Sequence, residues 1–202
     1  MINDTNTPDH PTTATSPDTS TTRTVLAAIG RRWPTLLALA MSVPGLVAGG
    51  STSITGFGQV LALLPLVYLI LAKLRRVSWT WPIVIVGSAV TVGLGALDLV
   101  HPQFVLTGIA LVVLLWAAVD GDLRRSGTLR WQAIGTAIFC GLALAALFVD
   151  PTLARYLVAA GWFLHGVWDF VHLKLGKPVA RSFAEWCGVI DIFVAIELVI
   201  LD

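Results

Sequence analysis

Charge is scarce in this chain. Of its 202 residues only 12% are Asp, Glu, Lys or Arg, while 56% are hydrophobic. An ordinary soluble domain carries about a quarter of its residues as charges, so that class is excluded. Cysteine is nearly missing. Cys140 and Cys187 are the only two, and both fall inside apolar stretches, which excludes a disulfide framework. No lysine lies inside those stretches, which excludes a retinal Schiff base. The sequence lacks a P-loop, a Gly-x-Ser-x-Gly elbow, a His-Glu-x-x-His pair and a dinucleotide fingerprint, so none of the families those motifs mark is indicated. The basic residues sit in small groups beside apolar runs, with no basic face interleaved by aromatics. Nucleic acid is therefore excluded as a partner.

What the sequence does have is seven apolar stretches, at 33–49, 56–72, 79–97, 102–119, 131–149, 153–172 and 183–200. About 18 apolar residues suffice to cross a bilayer, so the predicted fold is all-α, a polytopic bundle of seven transmembrane helices. The connections are too short for a soluble catalytic domain, and any chemistry falls to the bundle itself. Twelve of the thirteen Lys and Arg residues lie on one side of this arrangement. Arg23, Arg31 and Arg32 precede the first span, and Lys73, Arg75 and Arg76 follow the second. Arg124, Arg125 and Arg130 follow the fourth, and Lys174, Lys177 and Arg181 follow the sixth. Only Arg155 falls opposite. The positive-inside rule then predicts a multi-pass plasma-membrane protein with a cytoplasmic N-terminus and an outer C-terminus. Trp33, Trp79, Trp81, Trp116, Trp131 and Trp186 fall at the same cytoplasmic ends, as an interfacial belt should. Membrane lipids are the first expected partners. Arg outnumbers Lys ten to three, a bias of GC-rich bacterial genomes.

Residues 1–22 are rich in Thr, Asp, Pro and Ser and cannot bury enough apolar surface to order themselves. They are expected to be a disordered cytoplasmic tail, not a signal peptide. Residues 23–32 are expected to form an interfacial helix, and 33–202 the transmembrane domain.

A short motif occurs twice. Gly95-Ala-Leu-Asp98-Leu-Val-His101 closes the third span and Gly166-Val-Trp-Asp169-Phe-Val-His172 closes the sixth, at an offset of 71 residues. Both read Gly-x-x-Asp-x-Val-His. If the motif marks a repeat, spans two to four correspond to spans five to seven. An odd number of spans per unit makes the repeat inverted, an architecture common in carriers. It also puts Asp98 and His101 at the outer face and Asp169 and His172 at the inner one, so the two copies cannot form one composite site.

The candidate chemistry lies on the last two spans. His165, Asp169 and His172 fall within about 60° of one another on one helical face. Asp169 can reach either imidazole, and a carboxylate that orients an imidazole sets its tautomer and raises its basicity. Asp191 lies at a depth similar to that of His165. An ionisable group there costs about 2.5–3.5 kcal/mol on insertion scales and usually faces a partner or water. Glu185 and Glu197 point elsewhere and suit the two interfaces. Cys187, one turn from Asp191, is read as a small filler, with a ligand or nucleophile role as the alternative. Asp98, His101 and Asp150, followed by Pro102 and Pro151, read as helix-end chemistry. Bis-histidine haem is excluded, because His165 and His172 share one face of one helix.

Three functions stay open. One is a membrane-embedded acid–base or metal-dependent enzyme acting on a lipid or isoprenoid-like substrate from the cytoplasmic side. In it His165 is base or ligand, Asp169 its orienter and Asp191 a second acid or ligand. Its metal would be a divalent ion such as zinc, on His165, His172 and Asp191. The second is a small proton-coupled carrier with Asp191 and His165 as the relay. The third is a non-catalytic membrane subunit or scaffold. The topology is similar to that of the seven-helix hydrolases that include alkaline ceramidases, which place a His-rich zinc site toward the cytoplasm. Their paired histidines are His-x-x-x-His on the last helix, whereas this chain has His165-x-x-x-Asp169-x-x-His172 on the penultimate one, and no residue carries over.

Overall fold

The computed structural model describes residues 29–48 and 54–200, which are helical and without strand. The expected tail over 1–22 lies outside the described residues, as does most of 23–32. Residues 29–31 are helical and exposed. The chain divides into a unit Met1–Trp33 and a unit Pro34–Asp202.

The long helices among the described residues are α1 (Trp33–Ala48), α2 (Ile54–Leu74), α3 (Thr80–Leu97), α4 (Pro102–Val119), α5 (Gly127–Ala145), α6 (Pro151–Leu175) and α7 (Arg181–Ile200). A 3-10 turn over Val77–Trp79 leads into α3, and one helical turn over Asp122–Arg125 precedes α5. Four segments are long and apolar enough to cross a membrane: α2, α3 with its 3-10 turn, α4 and α5. The protein is thus all-helical and compatible with membrane embedding. In α1 the apolar part is shorter, Trp33–Pro44. α6 and α7 are long but diluted by the polar residues of the candidate site.

The helix ends follow local chemistry. α5 starts before the expected 131 because Ser126 caps it, its hydroxyl accepting the Leu129 N–H at 3.2 Å. Asp150 caps α6 by accepting the N–H groups of Thr152 and Leu153, both at 3.1 Å, with Pro151 in the first turn. Both are standard ways of satisfying the unpaired N–H groups of a first turn.

α2 is the centre of the bundle. Its run from Leu61 to Leu69 is buried throughout, as expected of a helix that is apolar on every side. α3, α4, α5 and α6 all pack on it, and α7 packs most extensively on α6. Glycine makes the last approach possible. A Cβ on Gly166 would lie 3.1 Å from the Asp191 Cβ, and one on Gly188 would lie 3.1 Å from the Asp169 Cβ. Each glycine therefore admits the other helix's aspartate. The outward faces of α3 and α4 are apolar, with Val92, Val112 and Leu115 all more than 60% exposed. Such surface is unusual around a soluble core.

Contacts between helix ends show which connections lie together. Lys73 at the end of α2 meets Asp120 at 2.5 Å and Asp122 at 2.7 Å, just beyond α4. Arg75 adds a 3.3 Å contact to Asp122. The Lys73 ammonium, hydrogen-bonded to Asp122, holds that carboxyl below the usual carboxylate range. Trp81 at the start of α3 donates to Ser182 at the start of α7 over 3.2 Å. Thr35 near the start of α1 donates to Glu185 at 2.5 Å. The basic connections after α2, α4 and α6 thus gather at one end of the Pro34–Asp202 unit.

Candidate functional site

The interior of this apolar bundle contains one compact polar cluster, contributed by α2, α6 and α7. His165 and Asp169 come from α6, Cys187 and Asp191 from α7, and Tyr68 from α2. His165, Asp169, Asp191 and Tyr68 have no exposed surface, and Cys187 has 2%. The i, i+4 spacing of His165 and Asp169 puts them on adjacent turns of one face. The same spacing joins Cys187 to Asp191, and the two glycines bring the faces together.

The geometry commits most of the donors. The His165 Nδ1 lies 2.7 Å from Asp191 Oδ2 and 3.7 Å from Asp169 Oδ1. With Asp191 ionised, His165 Nδ1–H donates to it and Nε2 carries the lone pair. Asp169 takes its short hydrogen bond from the Tyr68 hydroxyl, at 2.5 Å. The Cys187 thiol points to Asp191 Oδ1 at 3.7 Å. Two buried polar atoms of the cluster, His165 Nε2 and Asp169 Oδ2, have no hydrogen-bond partner. Phe139 packs edge-on against the His165 ring, with centroids 4.9 Å apart, and Tyr68 does so at 5.7 Å.

His172 stands apart from the cluster. Its Nδ1 is 2.8 Å from the Trp168 carbonyl, so Nδ1–H donates there. Its Nε2 then accepts from the Gln132 amide, also at 2.8 Å. Both ring nitrogens are committed, and the lone pair is used. The sequence reading grouped His172 with His165 and Asp191 as metal ligands, but the fold brings only the latter two together. The reason is the two turns of helix between His165 and His172, which leave them on one face but about 10 Å apart along the axis, where His172 meets Gln132 of α5. The Tyr68 ring bridges the two places, its centroid 5.0 Å from that of His172. Beyond His172 lies a pocket of about 320 Å³, lined by Trp131, Gln132, Trp168, His172, Leu175 and Lys177 among others. It lies at the basic end of the bundle.

The other polar residues of the last two spans are dispersed. Glu185 pairs with Thr35. Glu197, expected at an interface, is only 6% exposed. Asp98 and His101 are exposed at the α3–α4 connection. Cys140 and Cys187 are both free thiols. Sequence reasoning missed Tyr68 and Gln132. Tyr68 had a visible signal, since it interrupts a long aliphatic run of α2 and is one of two tyrosines in the chain. Gln132 had none beyond being an amide near a span end.

Compared with protein-family models, with curated proteins and with solved structures, this chain matches none.

Proposed function

We propose that this is a seven-span plasma-membrane enzyme. Its buried cluster acts on a lipid or isoprenoid-like substrate that arrives from the cytoplasmic side. One observation carries this reading. A His–Asp pair at 2.7 Å sits in an apolar core with His165 Nε2 left without a partner. Burying three ionisable groups on two packed helices is costly in a bundle of this kind. A purely structural contact between two helices needs only one hydrogen bond. Asp191 positions the imidazole, and His165 is the proton acceptor or metal ligand. Asp169, held by Tyr68, is the second carboxylate. The pocket beside His172, one layer away through Tyr68 and Trp168, is the route by which an apolar chain approaches.

The topology belongs to the same proposal. The gathering of the basic connections at one end supports seven crossings with the N-terminus cytoplasmic and the C-terminus outside. α6 and α7 then cross as a pair whose polar residues face each other and α2 rather than lipid. An inverted repeat of α2–α4 and α5–α7 is supported by the duplicated heptad and by the close packing of α2 on α5, the first helix of each half. The halves are not equally tight, because α6 and α7 pack far more closely than α3 and α4.

A proton-coupled carrier is the second reading. It is favoured by the succession of polar groups from Asp191 through His165 and Asp169 to Tyr68. One experiment separates the two. Proteoliposomes made from a total polar lipid extract are incubated with wild type and with Asp191→Asn, and the lipids are compared by mass spectrometry. The enzyme reading expects a lipid species consumed by wild type and spared by the variant. An unchanged lipid profile, together with pH-gradient-driven flux that Asp191→Asn abolishes, would establish the carrier instead. Neither effect would leave the cluster a structural contact.

A further inference from the structure

The geometry points to a site for one divalent transition-metal ion, zinc by its donor chemistry, held by His165, Asp169, Cys187 and Asp191 between α6 and α7. It rests on the reading of this cluster as the working centre, and not on the nature of the substrate.

The first support is convergence. One donor atom from each of the four residues lies within 4.8 Å of the donors of the other three. Zinc bonds to nitrogen and oxygen of about 2.0–2.1 Å in a tetrahedron require donors roughly 3.3 Å apart, and somewhat more for sulfur. The separations of 3.7 Å from His165 to Asp169 and from Cys187 to Asp191 already approach this. The 2.7 Å contact from His165 to Asp191 must open by about 0.6 Å on that geometry.

The second support is charge. Two aspartates and a thiol lie side by side at 0–2% exposure, with one imidazole as their sole basic neighbour within that group of donors. The lysine of α2 is already engaged by Asp120 and Asp122 at the end of the bundle. A dication offsets both carboxylates with the imidazole neutral. When Cys187 binds as a thiolate its proton leaves to solvent. The residual single negative charge is then shared with the Tyr68 hydroxyl, which donates to Asp169.

The third support is a buried carboxylate oxygen without a partner, Asp169 Oδ2; the ion takes His165 through Nδ1, the nitrogen that faces both aspartates, and the neutral ring then carries its proton on Nε2. Buried polar groups are nearly always satisfied, and an orphan at such a place calls for a bound water or ion. The donor set also selects the metal. One sulfur, one nitrogen and two oxygens suit zinc and its borderline neighbours, whereas calcium and magnesium take oxygen alone. His172 is outside the site because its lone pair is engaged by Gln132. The ion would hold α6 to α7 and supply Lewis acidity next to Tyr68.

The test uses the full chain purified in detergent, reconstituted with zinc alone and then with cobalt(II) alone. Near-stoichiometric zinc is expected in wild type. It should fall at least tenfold in His165→Gln and in Asp191→Asn, and stay unchanged in His172→Gln. The cobalt(II) form should show a thiolate-to-cobalt charge-transfer band and tetrahedral visible bands. Cys187→Ser should remove the charge-transfer band while keeping the visible ones. A variant that fails to fold leaves the wild-type cobalt spectrum as the arbiter. No zinc in wild type after reconstitution, a cobalt spectrum without sulfur ligation, or loss of metal with His172→Gln would each overturn the site. Metal content is read without turnover. A metal-free protein that still consumes lipid overturns this inference alone, and a metal-loaded protein that consumes none overturns only the enzymatic reading.

Discussion

The heptad Gly-x-x-Asp-x-Val-His occurs twice, and its two copies end in opposite surroundings. In the first, α3 stops at Leu97 and Asp98 takes a left-handed conformation, φ 49°. His101 leaves the helical region, with ψ 121°, immediately before Pro102. Asp98 and His101 are exposed. In the second, the helix continues three residues past the motif to Leu175, and Gly176 ends it at φ 67°. Asp169 and His172 stay on a helical face and are buried. The residue after the motif decides the matter. A proline disfavours the α conformation of its predecessor, so Pro102 keeps His101 out of the helix and starts α4, whereas Leu173 lets the second copy's helix continue. The glycines differ likewise. A Cβ on Gly166 would press on the Asp191 Cβ, but one on Gly95 meets only the end of the flexible Gln59 side chain at 3.2 Å. The same Asp and His are buried on a helical face in one place and exposed at a helix end in the other.

The comparison breaks most visibly at the aspartates. Asp169→Ala is expected to cost about 3–5 kcal/mol, the range for removing one partner from a buried charged cluster, while Asp98→Ala stays within about 0.5 kcal/mol. Thermal unfolding in one detergent, run on both variants, checks this, and equal losses would mean that the two copies are equivalent after all. Next come the glycines. Gly166→Ala should destabilise by about 1–3 kcal/mol through overpacking against a rigid Cβ. Gly95→Ala should fall well below that, and the same melts read it out. A smaller effect of opposite sign is expected from Asp98→Gly. The left-handed conformation suits glycine, so this change is neutral or stabilises by up to about 1 kcal/mol. Asp169→Gly must destabilise, since it removes a cluster member from a helix interior. The smallest effect lies at the basic end. The Asp122 carboxyl is held low by Lys73. Its contribution is therefore fully present above the ordinary carboxylate pKa and is lost as pH falls through the depressed one. Stability measured down an acid series should show this loss in wild type, and Asp122→Asn should lack it.

Much of the fold was legible in advance. Among the described residues the seven long helices start and stop near the seven apolar stretches, because burial of apolar runs and the chemistry of caps are local matters. Asp150, Pro102 and Pro151 mark their helix boundaries by side-chain and ring constraints that the sequence shows directly, whereas the Ser126 cap, which starts α5 at Gly127, was missed. The site was legible in part. The helical face of His165 and Asp169 follows from a spacing of four, as does that of Cys187 and Asp191. Tyr68 lies 97 residues before His165 by the numbering of the chain, and no periodicity links them. For Cys187 the sequence left filler, ligand and nucleophile open, because a lone cysteine beside an aspartate has no signature until a second helix faces it.

By itself the sequence determined the class, the helices and the one-sided placement of basic residues, since hydropathy and charge act on each segment separately. Only the tertiary structure decided which polar residues share a centre. Two glycines set how closely α6 and α7 approach, and that approach brings Cys187 and Asp191 to His165 and Asp169. The packing of α2 supplies the Tyr68 hydroxyl, and α5 captures His172 through Gln132. These outcomes depend on distances across helices, which no linear pattern of residues encodes.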